Sequence, residues 1–138
     1  MGRRAVTKTD DEWRRTLTPD QFRVARCKGT EPAFTGAYHD FKGDGIYHCV
    51  ACGSELFDSL AKYDSGSGWP SFYEPIEPER VEEQVDVGLF EPRTEVVCSR
   101  CGSHVGHVFP DGPPPTGVRY CLNSLALEFR PRDRGEAR

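Results

Sequence analysis

Six cysteines in this chain fall into two C-x-x-C pairs, Cys49/Cys52 and Cys98/Cys101, and two singles, Cys27 and Cys121. In a reducing compartment such paired spacing reads as metal ligation rather than as disulfides. Zn²⁺ takes a tetrahedron of thiolates at ~2.3 Å. A C-x-x-C turn followed by glycine, as in Cys52-Gly53 and Cys101-Gly102, presents two sulfurs together on a tight backbone. Two such turns complete a closed site without an open position, so the expected cofactor is one structural zinc per chain. The long gap between Cys52 and Cys98 makes that metal a staple between distant segments. The competing reading, a redox C-x-x-C of thioredoxin type, would not call for two copies.

A second constellation is Val118-Arg119-Tyr120-Cys121-Leu122-Asn123. Read as a strand with period two, it puts Arg119, Cys121 and Asn123 on one face. A neighbouring guanidinium favours thiolate, the nucleophilic form, although a free cysteine also commonly just fills core space. A third is Ser103-His104-Val105-Gly106-His107-Val108-Phe109-Pro110-Asp111. Two histidines and a separate cysteine suggest a nucleophile with an acid-base partner. Their offset of three puts them on opposite faces of a regular strand, so one shared site demands a bulge, which Gly106 permits. Metal ligation or ordinary surface positions are the alternatives for these histidines. Finally, Trp69, Phe72 and Tyr73 follow a glycine-rich loop beginning at Lys62. They form either a buried aromatic cluster or a wall for a small apolar group.

The elements that must position these groups are short. Thr18-Pro19-Asp20-Gln21 predicts a helix with a capping threonine, proline at the first helical position, a reciprocal glutamine, and Leu17 and Phe22 at the staple positions. Gly29 is the expected stop. Residues 1–16 are mostly polar and charged, with Trp13 as the only large apolar group, and read as a flexible N-terminal arm. One domain is expected over 17–130, and a polar tail over 131–138. Between Gly and Pro punctuation lie brief β-prone runs at 45–50, 95–97, 118–122 and 125–129, so the chain reads as mainly β. Its 138 residues suit a single core. The net charge of -4, with basic residues interspersed among acidic ones, disfavours a nucleic-acid partner. Neither an apolar leader nor a membrane-spanning run is seen, so a cytoplasmic location is expected.

In this order, Gly29-Thr-Glu-Pro-Ala-Phe-Thr-Gly36, Tyr47-His-Cys-Val-Ala-Cys-Gly53, the Tyr63–Phe72 loop, Ser103–Gly112 and Arg119-Tyr-Cys-Leu-Asn-Ser124 resemble the signature stretches of methionine sulfoxide reductase B. The resemblance runs from Leu17 to Phe129. It implies two antiparallel sheets in a β-tent with short flanking helices, a structural zinc, and reduction of the R epimer of methionine sulfoxide. By position, Cys121 resembles the catalytic cysteine and Trp69 the residue that packs on the substrate methyl. His104 and His107 resemble the pair that engages the sulfoxide oxygen, Arg119, Asn123 and Asp111 their polar support, with Phe109 also at the substrate. Many members carry a resolving cysteine where this chain has Ser67. Cys27 is the remaining unassigned thiol, and some members resolve from that region. The resemblance therefore implies a Cys121 sulfenic acid resolved by Cys27, with thioredoxin as reductant and oxidised proteins or peptides as substrates. A non-catalytic zinc module for protein binding, and a nucleic-acid-binding zinc ribbon, are the rival classes; neither needs Cys121.

Overall fold

Thr9 and Thr18 each open a helix by the same device. In the computed structural model, which describes residues 5–87 and 92–132, these helices are α1 (Asp10–Thr16) and α2 (Pro19–Ala25). Thr18 Oγ1 accepts from the Gln21 amide at 3.1 Å while Gln21 Oε1 accepts from the Thr18 amide at 2.9 Å, the reciprocal box expected from the sequence. Thr9 and Glu12 repeat it at 3.2 and 2.8 Å. That first helix corrects the expectation of a loose arm: within the nominal arm, Trp13 is 0% exposed. The guanidinium of Arg26 covers its ring at 4.7 Å and Lys8 approaches it at 4.9 Å. One large apolar side chain on a polar helix thus docks the segment, with two cations against its π face. Helix α2 ends at Ala25, short of Gly29, because Lys28 turns to a positive φ of 60° and the Gly29 amide donates back to Arg23.

Among the described residues the strands are β1 (Gly45–Cys49), β2 (Glu55–Asp58), β3 (Lys62–Tyr63), β4 (Ser71–Phe72), β5 (Val81–Val87), β6 (Pro92–Cys98), β7 (His104–Phe109), β8 (Arg119–Leu122) and β9 (Leu127–Pro131). They form a three-stranded sheet, β2-β1-β9, and a six-stranded sheet, β3-β4-β8-β7-β6-β5, with every pairing antiparallel. The chain is therefore mainly β with two antiparallel sheets, as expected. Leu125 and Ala126 fall in a 3₁₀ turn, Ser124–Ala126, so the last strand starts later than its β-prone run. It also runs into the nominal tail. Pro131 closes β9, and Arg132 pairs with Asp44 and Asp58 at 3.0 and 2.6 Å. Residues 133–138 of that tail lie outside the described residues.

Between the sheets, alternation buries one face of each. Tyr47 and Phe57 from the small sheet meet Phe72 from the large one, with ring centroids 5.1 and 4.8 Å apart. Val96, Val105 and Leu122 continue this core from β6, β7 and β8. The apolar residues of β8 therefore fix which way its other face points.

Candidate active site

Strand β8 carries Cys121 between two neighbours. On one side Ser71 of β4 stands opposite it, and on the other His107 of β7. Tyr120 and Leu122 go to the core, while Arg119 and Cys121 stay half-buried on the opposite face. On β7, Val97 pairs with His104 but the adjacent Val96 pairs with Gly106, so β7 spends an extra residue there. This is the bulge that two histidines at an offset of three require, and it brings their rings to 5.3 Å between centroids. Gly106 suits the spot for a second reason: a Cβ there would stand 2.8 Å from the Leu122 Cα and collide with the Cys121 carbonyl.

Above this face lies a cavity of about 260 Å³ lined by Cys121, His107, Trp69, Phe109, Arg119 and Asn123 among others. Trp69 and Phe109 supply its apolar walls. The Trp69 indole N–H donates to the Glu31 carbonyl at 2.9 Å, which fixes the ring. Arg119 grips Asp111 through two hydrogen bonds, 3.0 and 3.2 Å, and lies over the Phe109 ring at 4.5 Å. Its pKa is raised by the hydrogen bond to Asp111 and further by the negative charge of Cys121 when ionised. The Asp111 carboxyl is correspondingly lowered, first by that same bond. Asn123 is 3% exposed; its Oδ1 accepts from the Glu31 amide at 3.0 Å and its Nδ2 donates to the Val105 carbonyl at 3.4 Å. Ser67 Oγ approaches Cys121 Sγ at 3.6 Å.

Three sequence-chosen residues stand apart from the cavity wall. His104 sits behind it, 2% exposed, with its Nδ1 at 2.8 Å from Glu95 Oε2 and within a separate cavity shared with Lys28 and Cys101. Burial pushes its pKa below the ordinary histidine value, with Glu95 opposing. Asp111 acts through Arg119. Cys27 is exposed just beyond α2. Thr30, which lines the cavity, follows three residues later, so the chain between them spans at most about 11 Å.

Sequence reasoning passed over Glu31. Its side chain is 1% exposed, and Oε1 accepts from the Leu125 amide at 2.9 Å. Its backbone holds both Trp69 and Asn123. An acid in a Gly- and Pro-bounded loop reads as a solvated turn residue, so no local signal marked it. Arg93, on β6 at the cavity edge, was also missed for want of a motif.

The four remaining cysteine sulfurs all lie within 4.8 Å of one another. Cys49–Cys101 and Cys52–Cys98 are 3.7 and 3.6 Å apart. Thiolates at ~2.3 Å from a tetrahedral ion stand ~3.8 Å from each other, so the donor set matches a metal of that size. The two turns are built alike. The Gly53 amide donates to Cys49 and the Gly102 amide to Cys98, both at 2.8 Å, and both glycines have φ near 80°, 82° and 79°. The sulfurs share protons unevenly: hydrogen bonds from Cys49, Cys52 and Cys98 hold Cys101 well below the usual thiol range, and the hydrogen bond with Cys101 pushes Cys49 up. A cation replacing those protons would resolve that competition. Because Cys49 ends β1 and Cys98 ends β6, the site ties one sheet to the other.

Comparison with known proteins agrees with this geometry. A family model described as the SelR domain matches residues 17–131. The peptide methionine sulfoxide reductase MsrB of Thiobacillus denitrificans is 58% identical over 126 residues, covering 91% of this chain and 96% of its own. The protein of the same name from Pseudomonas putida F1 is 56% identical over 128 residues, 93% of this chain and 98% of its own. That of Methanosarcina barkeri is 53% identical over 136 residues, 99% and 96% of the two chains.

Proposed function

The chain belongs to the SelR-domain family, which includes the peptide methionine sulfoxide reductases MsrB, and on that premise we propose that its Cys121 cavity reduces methionine-R-sulfoxide to methionine. The observation that carries this reading is Cys121 directly opposite His107, between the apolar walls of Trp69 and Phe109. A sulfoxide sulfur becomes electrophilic when its oxygen is protonated or strongly hydrogen-bonded, so the reaction needs a thiolate on one side and an acid on the other. Cys121 supplies the first. Of the two histidines, His107 lines the cavity and is the proton donor, while His104 stands behind it, held neutral by burial. Trp69 receives the substrate methyl. Arg119, anchored by Asp111, presents a guanidinium to the cavity that Cys121 lines.

Attack of the Cys121 sulfur transfers the sulfoxide oxygen to it: methionine leaves, and Cys121 becomes a sulfenic acid. Cys27 then condenses with that sulfenic acid, releasing water and forming a Cys27–Cys121 disulfide. Thioredoxin reduces the disulfide by exchange. Helix-end Lys28 and Gly29 provide the turn through which Cys27 swings toward the cavity, since a disulfide requires Cα atoms within ~7 Å. The substrates are oxidised proteins and peptides, and the enzyme works in the cytoplasm; among the described residues no helix is long and apolar enough to cross a membrane. Zinc is the ion at the four-cysteine site, where closed thiolate coordination is structural.

Incubating the protein with separated R and S epimers of a methionine sulfoxide amide plus dithiothreitol tests the activity. Methionine should form from the R epimer alone, and Cys121→Ser should abolish it with fold and metal content unchanged. Equal turnover of both epimers would reject the stereochemical assignment, and an active Cys121→Ser would move the chemistry elsewhere.

A further inference from the structure

Behind the cavity wall, Glu95 forms a buried link between two elements. Its side chain is 4% exposed, its Oε2 lies 2.8 Å from His104 Nδ1, and its Oε1 lies 3.2 Å from Lys28 Nζ. Glu95 stands opposite His107 in the β6–β7 register, and the His104 ring meets the His107 ring at 5.3 Å. A carboxylate buried this deeply is costly unless its oxygens are engaged, and here each oxygen has one partner. The charged or titratable groups around His104 are Glu95 from β6, His107 from β7, Cys101 from the turn between β6 and β7, Arg26 and Lys28 from the segment after α2, and Lys8 from the segment before α1.

We infer that Glu95 is a positioning residue for the reaction, acting through His104 on His107. An ionised carboxylate can only accept, so the hydrogen bond requires His104 to donate from Nδ1. Burial disfavours the charged ring, so the proton stays on Nδ1 and Nε2 is left as an acceptor. Nε2 is buried and makes no hydrogen bond to the protein. His104 therefore stands as a rotationally locked, neutral ring packed edge-on against His107, and it holds the orientation from which His107 donates its proton. A carboxylate that fixes a histidine's tautomer and ring orientation does the same in metal sites, where losing such a partner costs on the order of 10–100-fold. Lys28 closes the outer end of the link, which places the residue after Cys27 on the same carboxylate.

The inference deepens the proposed reductase reading and rests on it for its kinetic arm only. In ¹⁵N-labelled wild-type protein with its metal bound, long-range ¹H–¹⁵N correlation should show His104 protonated at Nδ1 at pH 7. An Nε2-protonated His104 would overturn the inference whatever the activity. The second arm compares Glu95→Ala with Glu95→Gln, whose carbonyl can still accept from Nδ1–H. Glu95→Ala should shift His104 out of the Nδ1-protonated form. It should also lower the single-turnover rate of R-sulfoxide reduction by ten-fold or more. Cys121 alkylation by iodoacetamide and metal content should stay as in wild type. Glu95→Gln should retain the tautomer and recover most of the rate. Equal rates for wild type and Glu95→Ala despite an altered tautomer would overturn the inference while leaving the reductase reading intact. Wild-type protein inert toward both epimers would instead remove the reductase reading, with the tautomer still deciding whether Glu95 holds His104.

Discussion

At the residue scale, Cys121, Ser67 and Cys27 define what is ordinary and what is particular in this site. Cys121 and Ser67 already touch, with Oγ and Sγ 3.6 Å apart, so a thiol at position 67 would need little movement to reach Cys121. Cys27 lies at an exposed position beyond α2, outside the cavity wall. Cys27→Ser should therefore still convert about one methionine sulfoxide per chain, since the reductive step uses Cys121 alone, and thioredoxin-driven turnover should collapse. Dithiothreitol should partly rescue it. Adding Ser67→Cys in that background should restore thioredoxin-driven turnover, read by coupled oxidation of the reductant. Undiminished thioredoxin turnover in Cys27→Ser alone would assign direct reduction of Cys121 instead. The single face carrying Arg119 and Cys121 was legible in the sequence because period two is geometric. Separating the roles of His104 and His107 was not, since both sit in one short motif and only the bulge on β7 decides which ring lines the cavity and which backs it.

At the element scale, two capped helices and one bulged strand hold the site. The Thr18 box was readable because Pro19 and the Leu17/Phe22 staple reinforce it. The equivalent signal in Thr9-Asp10-Asp11-Glu12 was present but lay in a polar stretch that gave no amphipathic stripe. What makes α1 part of the domain is tertiary: Trp13 enters the core and Arg26 closes over it. Trp13→Ala should cost ~3–5 kcal/mol by thermal or denaturant unfolding, as for other fully buried aromatics. Thr9→Ala should cost only ~1 kcal/mol, the usual value of a cap. If Trp13→Ala unfolded at the wild-type midpoint, α1 would be an ornament rather than a part of the core. Strand β7 makes a sharper demand. Gly106→Ala should lower both stability and R-sulfoxide turnover, because the new methyl would push β8 away at Cys121 itself.

At the scale of the whole molecule, two sheets from interleaved segments of chain share one aromatic core and are tied at one end by four cysteines. The doubled C-x-x-C was legible because ligand spacing is local, and its long gap already implied a staple. Which strands it joins was not, since sheet order is set by non-local pairing. Cys101→Ser should release the metal and lower the melting temperature, as thiolate coordination contributes folding free energy directly. Metal analysis that found well-folded protein without zinc would remove the cofactor assignment. The proposed reaction depends, however, on Cys121 taking the oxygen. Cys27→Ser protein, fully reduced and then freed of thiols, can be mixed with methionine-R-sulfoxide in the presence of a sulfenic-acid trap and examined by peptide mass spectrometry while methionine is counted. One trapped adduct on Cys121 for each methionine released is the predicted result. Methionine released with Cys121 unmodified would contradict the central claim.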